Sequence, residues 1–137
     1  MTRVVLDTNV LVSFLTDRDL PQQAQAARLL TGAAAGEIQV ILHQTVVMEL
    51  AYVLRNLYSM SSEELSPLLR DLLALPGVAV ADRLPWSAAL DLWPSRVQDL
   101  AEAVLTAVAS MNRCDAIATF DKAFRRRMAR LGVKSYW

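Results

Sequence analysis

Short apolar runs rich in β-branched residues alternate along this chain with longer segments of helical periodicity, and no other feature restricts the fold as much. Residues 3–6, 38–42, 78–80, 115–120 and 133–137 read as strands. Residues 21–36, 44–58, 61–75, 85–93, 97–113 and 122–131 read as helices. Pro21 and Gly36 bracket their helix in the favoured sense, and Ser61 with Glu64 forms a capping box. Repetition of strand, helix and strand implies right-handed crossovers. The expected class is therefore α/β, with a central, mainly parallel sheet flanked by helices on both faces. A length of 137 residues without repeat or linker predicts one domain spanning 1–137.

Composition narrows the class further. With 54% hydrophobic and 20% charged residues the chain is not disordered, and its length supports a core without disulfides. No uncharged apolar run approaches the roughly 18–20 residues of a membrane span. Met1 leads through Thr2 and Arg3 into an Asp-containing segment, so no secretory leader is expected. The single cysteine, Cys114, has no internal partner and reads as an inert thiol at the core margin, which suits a reducing, cytoplasmic setting. Trp86, Trp93, Tyr52 and Tyr58 are expected to fill core.

The formal net charge of zero hides an asymmetry. From Lys122 onward there are six basic residues and no acid, leaving eight basic and all fourteen acidic residues upstream. An acidic body with a basic tail can hold cations at one place and phosphates at another, and Lys122, Arg125, Arg126 and Arg127 are the candidate phosphate contacts.

Ligands of open parallel sheets bind at the carboxyl ends of strands. Asp7 and Asp121 both fall there, each directly after a strand. Glu49 lies on the flank of the stripe formed by Val46, Leu50, Val53, Leu54 and Leu57, where a carboxylate is costly without a cation or strong donors. Asp99 and Glu102, spaced i, i+3, share one helix face with Thr106 and Ser110 beyond them. A carboxylate-only cluster suits Mg²⁺ or Mn²⁺, and one or two such ions activate water and stabilise a leaving oxygen in phosphodiester cleavage. One His and one Cys are too few for a structural zinc site, and no glycine-rich phosphate loop occurs. His43, between a strand and a helix, reads as structural.

Four segments carry a family likeness: Val4-Val5-Leu6-Asp7-Thr8-Asn9-Val10-Leu11-Val12, Val47-Met48-Glu49-Leu50, Asp99-Leu100-Ala101-Glu102-Ala103-Val104-Leu105-Thr106-Ala107 and Ala118-Thr119-Phe120-Asp121-Lys122-Ala123-Phe124. In order and spacing they resemble PIN-domain ribonucleases, within them the VapC-type toxins of toxin–antitoxin pairs. The resemblance implies a PIN-like fold and a Mg²⁺- or Mn²⁺-dependent RNA endonuclease. Asp7, Glu49 and Asp121 map onto its metal-binding acids, with Thr8, Asn9 and Thr119 as supporting residues. It also implies RNA as substrate, a cognate antitoxin whose peptide covers the acidic cleft, and a homodimer.

One position departs from that pattern. Where the family usually carries Asp before its Ala-x-Leu-x-Ala stretch, this chain has Glu102, with Asp99 one turn upstream. The extra methylene shifts a carboxylate by about an ångström, enough to matter for rate. Either Glu102 ligates, or Asp99 takes over with Glu102 as its neighbour, or activity is weakened. The alternative function is thus a catalytically weak or inactive PIN-like module acting through protein partners. A haloacid-dehalogenase-like phosphatase fits poorly, because it needs a second Asp where Asn9 stands.

Overall fold

The computed structural model describes residues 1–137. The chain runs β1 (Thr2–Leu6), α1 (Thr8–Leu15), α2 (Leu20–Ala34), β2 (Ile38–His43), α3 (Gln44–Leu57), α4 (Ser62–Leu73), β3 (Val78–Ala81), α5 (Trp86–Leu92), α6 (Leu100–Met111), β4 (Ala116–Ala118) and α7 (Lys122–Arg130). The four strands form one all-parallel sheet in the order β3-β2-β1-β4. Val4–Leu6 are buried without alternation, as expected of a central parallel strand covered on both faces.

That order fixes where a ligand site belongs. The chain steps outward from β1 to β2 to β3, then returns to place β4 on the other side of β1. With right-handed crossovers, α1 to α4 cover one face and α5 and α6 the other. Strand order therefore reverses between β1 and β4, and the crevice beyond their carboxyl ends is the topological switch point. Asp7 follows β1 and is tied to β4 by its backbone N–H donating to Ala118 O at 2.9 Å.

The core is a cluster of 29 buried residues drawn from the sheet and most of the helices, with Leu50 and Leu54 of α3, Val108 of α6 and Phe124 and Met128 of α7 fully or almost fully buried. Gly77 allows the closest backbone approach: its φ is +80°, and a Cβ there would stand 2.2 Å from Ala33 O at the end of α2. His43 is structural, as expected. It is fully buried, its Nδ1 faces Thr45, and its Nε2 meets Arg83 O at 2.8 Å. The Ser61–Glu64 capping box is present.

Three expectations need correction. Residues 8–15, read as no element, form α1, capped by Asp7. Residues 133–137 are not a fifth strand. They make one isolated parallel bridge, Ile117 to Ser135, and end with Trp137 stacked on Phe120 at 4.6 Å. The aromatic residues assigned to the core lie outward, with Tyr52 68% and Trp86 52% exposed and Tyr58 and Trp93 also at the surface. Three of the four stand at helix ends, Tyr58 just after α3 and Trp86 and Trp93 at the two ends of α5. Two ends also shift. Helix α6 begins at Leu100 rather than residue 97, and β4 stops at Ala118 because Thr119 and Phe120 leave the ladder to serve the cleft.

Candidate active site

Asp7 is the centre of a hydrogen-bond network joining the ends of β1 and β4. Its Oδ1 accepts the Thr8 N–H at 2.8 Å, and its Oδ2 accepts Asn9 Nδ2 at 3.0 Å and Thr119 Oγ1 at 2.8 Å. Asn9 Nδ2 also donates to Thr119 Oγ1, and Asn9 Oδ1 accepts the Phe120 N–H at 2.9 Å. Thr119 Oγ1 accepts the Asp121 N–H at 3.1 Å. Thr119 is fully buried, so its hydroxyl has no solvent to fall back on and every one of its partners belongs to the site. These contacts hold Asp7 in one orientation.

Each remaining acid is placed by its helix. Thr8 Oγ1 donates to Glu49 Oε2 at 3.0 Å, fixing the α3 carboxylate beside the start of α1. Asp99 caps α6 by accepting the Glu102 N–H at 3.0 Å, and Asp121 caps α7 by accepting from Ala123 and Phe124 at 2.9 and 3.1 Å. In Asp99 and Asp121 only Oδ1 is used, so Oδ2 is free. A cleft of about 580 Å³ gathers Asp7, Thr8, Asn9, Glu49, Asp99, Glu102 and Asp121, and apart from Arg18 and Thr45 the rest of its wall is apolar, with Val53, Leu57, Leu100 and Trp86 among it. Thr119 supports Asp7 beneath it.

The basic candidates divide. Arg127 forms a bidentate pair with Glu102, Nε to Oε2 at 2.7 Å and Nη2 to Oε1 at 2.5 Å. Glu102 is itself only 8% exposed. The Glu102 hydrogen bond, then the charges of Glu102, Asp121 and Asp99, hold the Arg127 guanidinium protonated against its partial burial. Lys122, Arg125 and Arg126 stand elsewhere on α7, outside the cleft lining. Arg18 lines the cleft and went unsuspected. Its signal lay in the Asp17-Arg18-Asp19 turn, which has no evident role until α1 is seen to precede it.

Burial pushes the Asp7 carboxyl up from 3.8 to about 6. The Thr119 and Thr8 hydrogen bonds oppose the rise, while the neighbouring Glu49 and Asp121 charges add to it. A carboxyl raised in the folded state favours folding while protonated and loses that advantage as pH climbs through its folded value. In chelator, wild-type protein is therefore expected to lose stability relative to Asp7→Asn between about pH 4 and pH 6, and to run parallel above. The difference reaches at most about 3 kcal/mol. Thermal melts across that range check it, and parallel curves from pH 4 upward contradict it.

The donor set fits a hard divalent ion. It is all oxygen, Asp7 is a half-buried carboxylate pressed by two acidic neighbours, and three of the acids have an oxygen free of protein partners. The fit is open rather than closed: no three Asp, Glu, His or Cys side chains are gathered tightly enough to hold a metal ion by themselves. An ion held here would keep several waters and take few protein ligands, as Mg²⁺ commonly does.

Fold and site together define an α/β protein with an acidic cleft at the switch point of its sheet. The chain matches the PIN domain over residues 3–123 and belongs to the PIN-domain family, whose members are generally nucleases and typically use divalent metal ions. No curated protein matches the chain. No helix is long and apolar enough to cross a membrane.

Proposed function

We propose that the protein is a Mg²⁺- or Mn²⁺-dependent RNA endonuclease acting as the VapC-type toxin of a toxin–antitoxin pair in the cytoplasm. The observation that carries the nuclease reading is the placement of Asp7, Glu49, Asp99 and Asp121 around one cleft at the switch point of the sheet. The toxin role rests on the sequence likeness. Asp7, Glu49, Asp99 and Asp121 would hold the ion. The ion would activate water and stabilise charge developing on the cleaved phosphate.

The chain's own residues do the positioning. Asn9 and Thr119 lock Asp7 in place, and Thr8 holds Glu49 beside it. The Asp99 and Asp121 caps each turn one oxygen inward to a helix and leave the other for a ligand. Between Asp99 and Glu102, the pairing of Glu102 with Arg127 favours Asp99 as the ligand and Glu102 as its neighbour. The apolar wall beside an acidic floor suits an antitoxin peptide carrying both apolar and basic side chains. Exposed Met48 and Tyr52 on α3 offer a surface for a second copy of the chain.

The test is cleavage of single-stranded RNA. Cutting is expected with Mn²⁺ and none with excess chelator, and cutting at an equal rate in chelator contradicts the reading. A second reading, a PIN-like module with weak or no chemistry, is favoured by one observation, the commitment of Glu102 to Arg127. It predicts no RNA cutting under either condition.

A further inference from the structure

Arg18 is the only basic side chain that lines the acidic cleft. It stands in the turn between α1 and α2, exposed but held. Its Nε donates to Ser13 Oγ at 2.9 Å and its Nη2 to the Asn9 carbonyl at 3.0 Å. Ser13 is fully buried and hands its own hydroxyl proton to Gln22 Oε1 at 2.8 Å, so the acceptor for Arg18 is itself fixed. A buried serine hydroxyl and a main-chain carbonyl are neutral partners. The guanidinium is thus paired with no carboxylate although carboxylates line the same cleft, and the molecule's one salt bridge is Arg127 with Glu102.

Two features make this arrangement a site rather than a loose surface charge. The Nε side of the fork is used up by the protein, while Nη1 and its hydrogens have no partner, which leaves the end of the fork pointing away from its anchors. Arg18 is also tied through Asn9 to Asp7, because Asn9 donates to Asp7 Oδ2 and receives Arg18 on its carbonyl. The residue further borders an adjoining groove with Asn9, Asp19, Gln22, Phe120 and Asp121, so it stands between the two. A planar, preoriented guanidinium with a free end matches the paired non-bridging oxygens of a phosphodiester.

We propose that Arg18 is a backbone-phosphate site: it binds the nucleic-acid phosphodiester next to the one presented to the carboxylates and sets the register of the strand in the cleft. The proposal rests on the nuclease reading of that cleft. A residue that merely braced the α1–α2 turn would affect melting and leave nucleic-acid binding alone.

The experiment is fluorescence anisotropy of a labelled single-stranded oligoribonucleotide with the full chain in chelator, so that nothing is cut, across roughly 50–300 mM salt. Arg18→Gln is expected to weaken binding about tenfold at low salt and to reduce the slope of log Kd against log salt by about 0.7, the signature of one lost phosphate contact. Arg18→Lys keeps the slope but binds less tightly than wild type, having charge without the fork. Arg70→Gln, on α4 outside the cleft, leaves both unchanged. Wild-type affinity and slope in Arg18→Gln overturn the proposal, whether or not the melting temperature falls. So does an equal effect from Arg70→Gln. Wild-type protein that binds no RNA overturns the proposal and the nuclease reading together. Binding that responds to Arg18→Gln, in a protein that never cuts RNA with Mn²⁺, upholds the phosphate site and removes the nuclease reading alone.

Discussion

Asp7→Asn is expected to lower Mn²⁺-dependent RNA cleavage at least about 100-fold while the chain remains folded. Loss of one charged ligand from a metal centre removes several kcal/mol of transition-state stabilisation, and about 3 kcal/mol already corresponds to that factor. Folding survives because asparagine has nearly the same shape and its amide oxygen can still accept the Thr8 N–H that caps α1, although its amide nitrogen then replaces the oxygen that accepts from Asn9 and Thr119. The Asp7 negative charge, which partial burial makes costly, disappears at the same time. Cleavage kinetics and thermal melting of the same preparation separate chemistry from stability. Activity within a few-fold of wild type in a folded Asp7→Asn variant would falsify the assignment of Asp7 as a ligand.

Arg127→Ala is expected to destabilise the protein by about 1–3 kcal/mol. Breaking a fully buried pair by removing one partner costs about 3–5 kcal/mol, because the other charge is left uncompensated. Here the Arg127 side chain is 35% exposed and its Glu102 partner 10%, so solvent screening reduces the figure. The same cation also faces Asp121 and Asp99, and its removal takes that counter-charge from these acids. Glu102→Gln on the Arg127→Ala background should recover most of the loss, since the stranded carboxylate is gone. Chemical denaturation of the single and double variants measures the coupling. An Arg127→Ala protein as stable as wild type would show that the pair contributes nothing, and Glu102 would return as a candidate ligand.

Much of the frame was legible because it depends on patterns shorter than an element. The runs at β1, β2 and β3 are β-branched and bounded by polar or turn residues, so their existence and parallel arrangement followed directly. Helix α1 was missed because Val10, Leu11 and Val12 continue the apolar character of β1, and only the Asp7 cap separates strand from helix. The opposite error occurred at residues 133–137. Val133, Tyr136 and Trp137 favour strands, yet their apolar surface is satisfied by packing against Phe120 and the core, with a single bridge to β4.

The site shows the same division. Asp7 and Asp121 could be placed at strand ends from local sequence, and Glu49 from its position beside the apolar stripe of α3. Leu57, counted in that stripe, is 74% exposed and lines the cleft wall, because the helix leaves the core at its last turn. The pairing of Glu102 with Arg127 and the anchoring of Arg18 by Ser13 and Asn9 join residues 25, 5 and 9 positions apart through tertiary geometry. No helical or strand periodicity encodes such contacts, so the basic tail looked uniformly available when one of its arginines was already committed.

The most direct measurement is calorimetric titration of Mn²⁺ into wild-type protein and Asp7→Asn in the absence of RNA. Saturable binding by wild type, weakened at least about tenfold in Asp7→Asn, is the predicted result, because the cleft acids would hold the ion before any substrate arrives. No binding by wild type, or equal binding by both proteins, would contradict the assignment of this cleft as a divalent-metal centre.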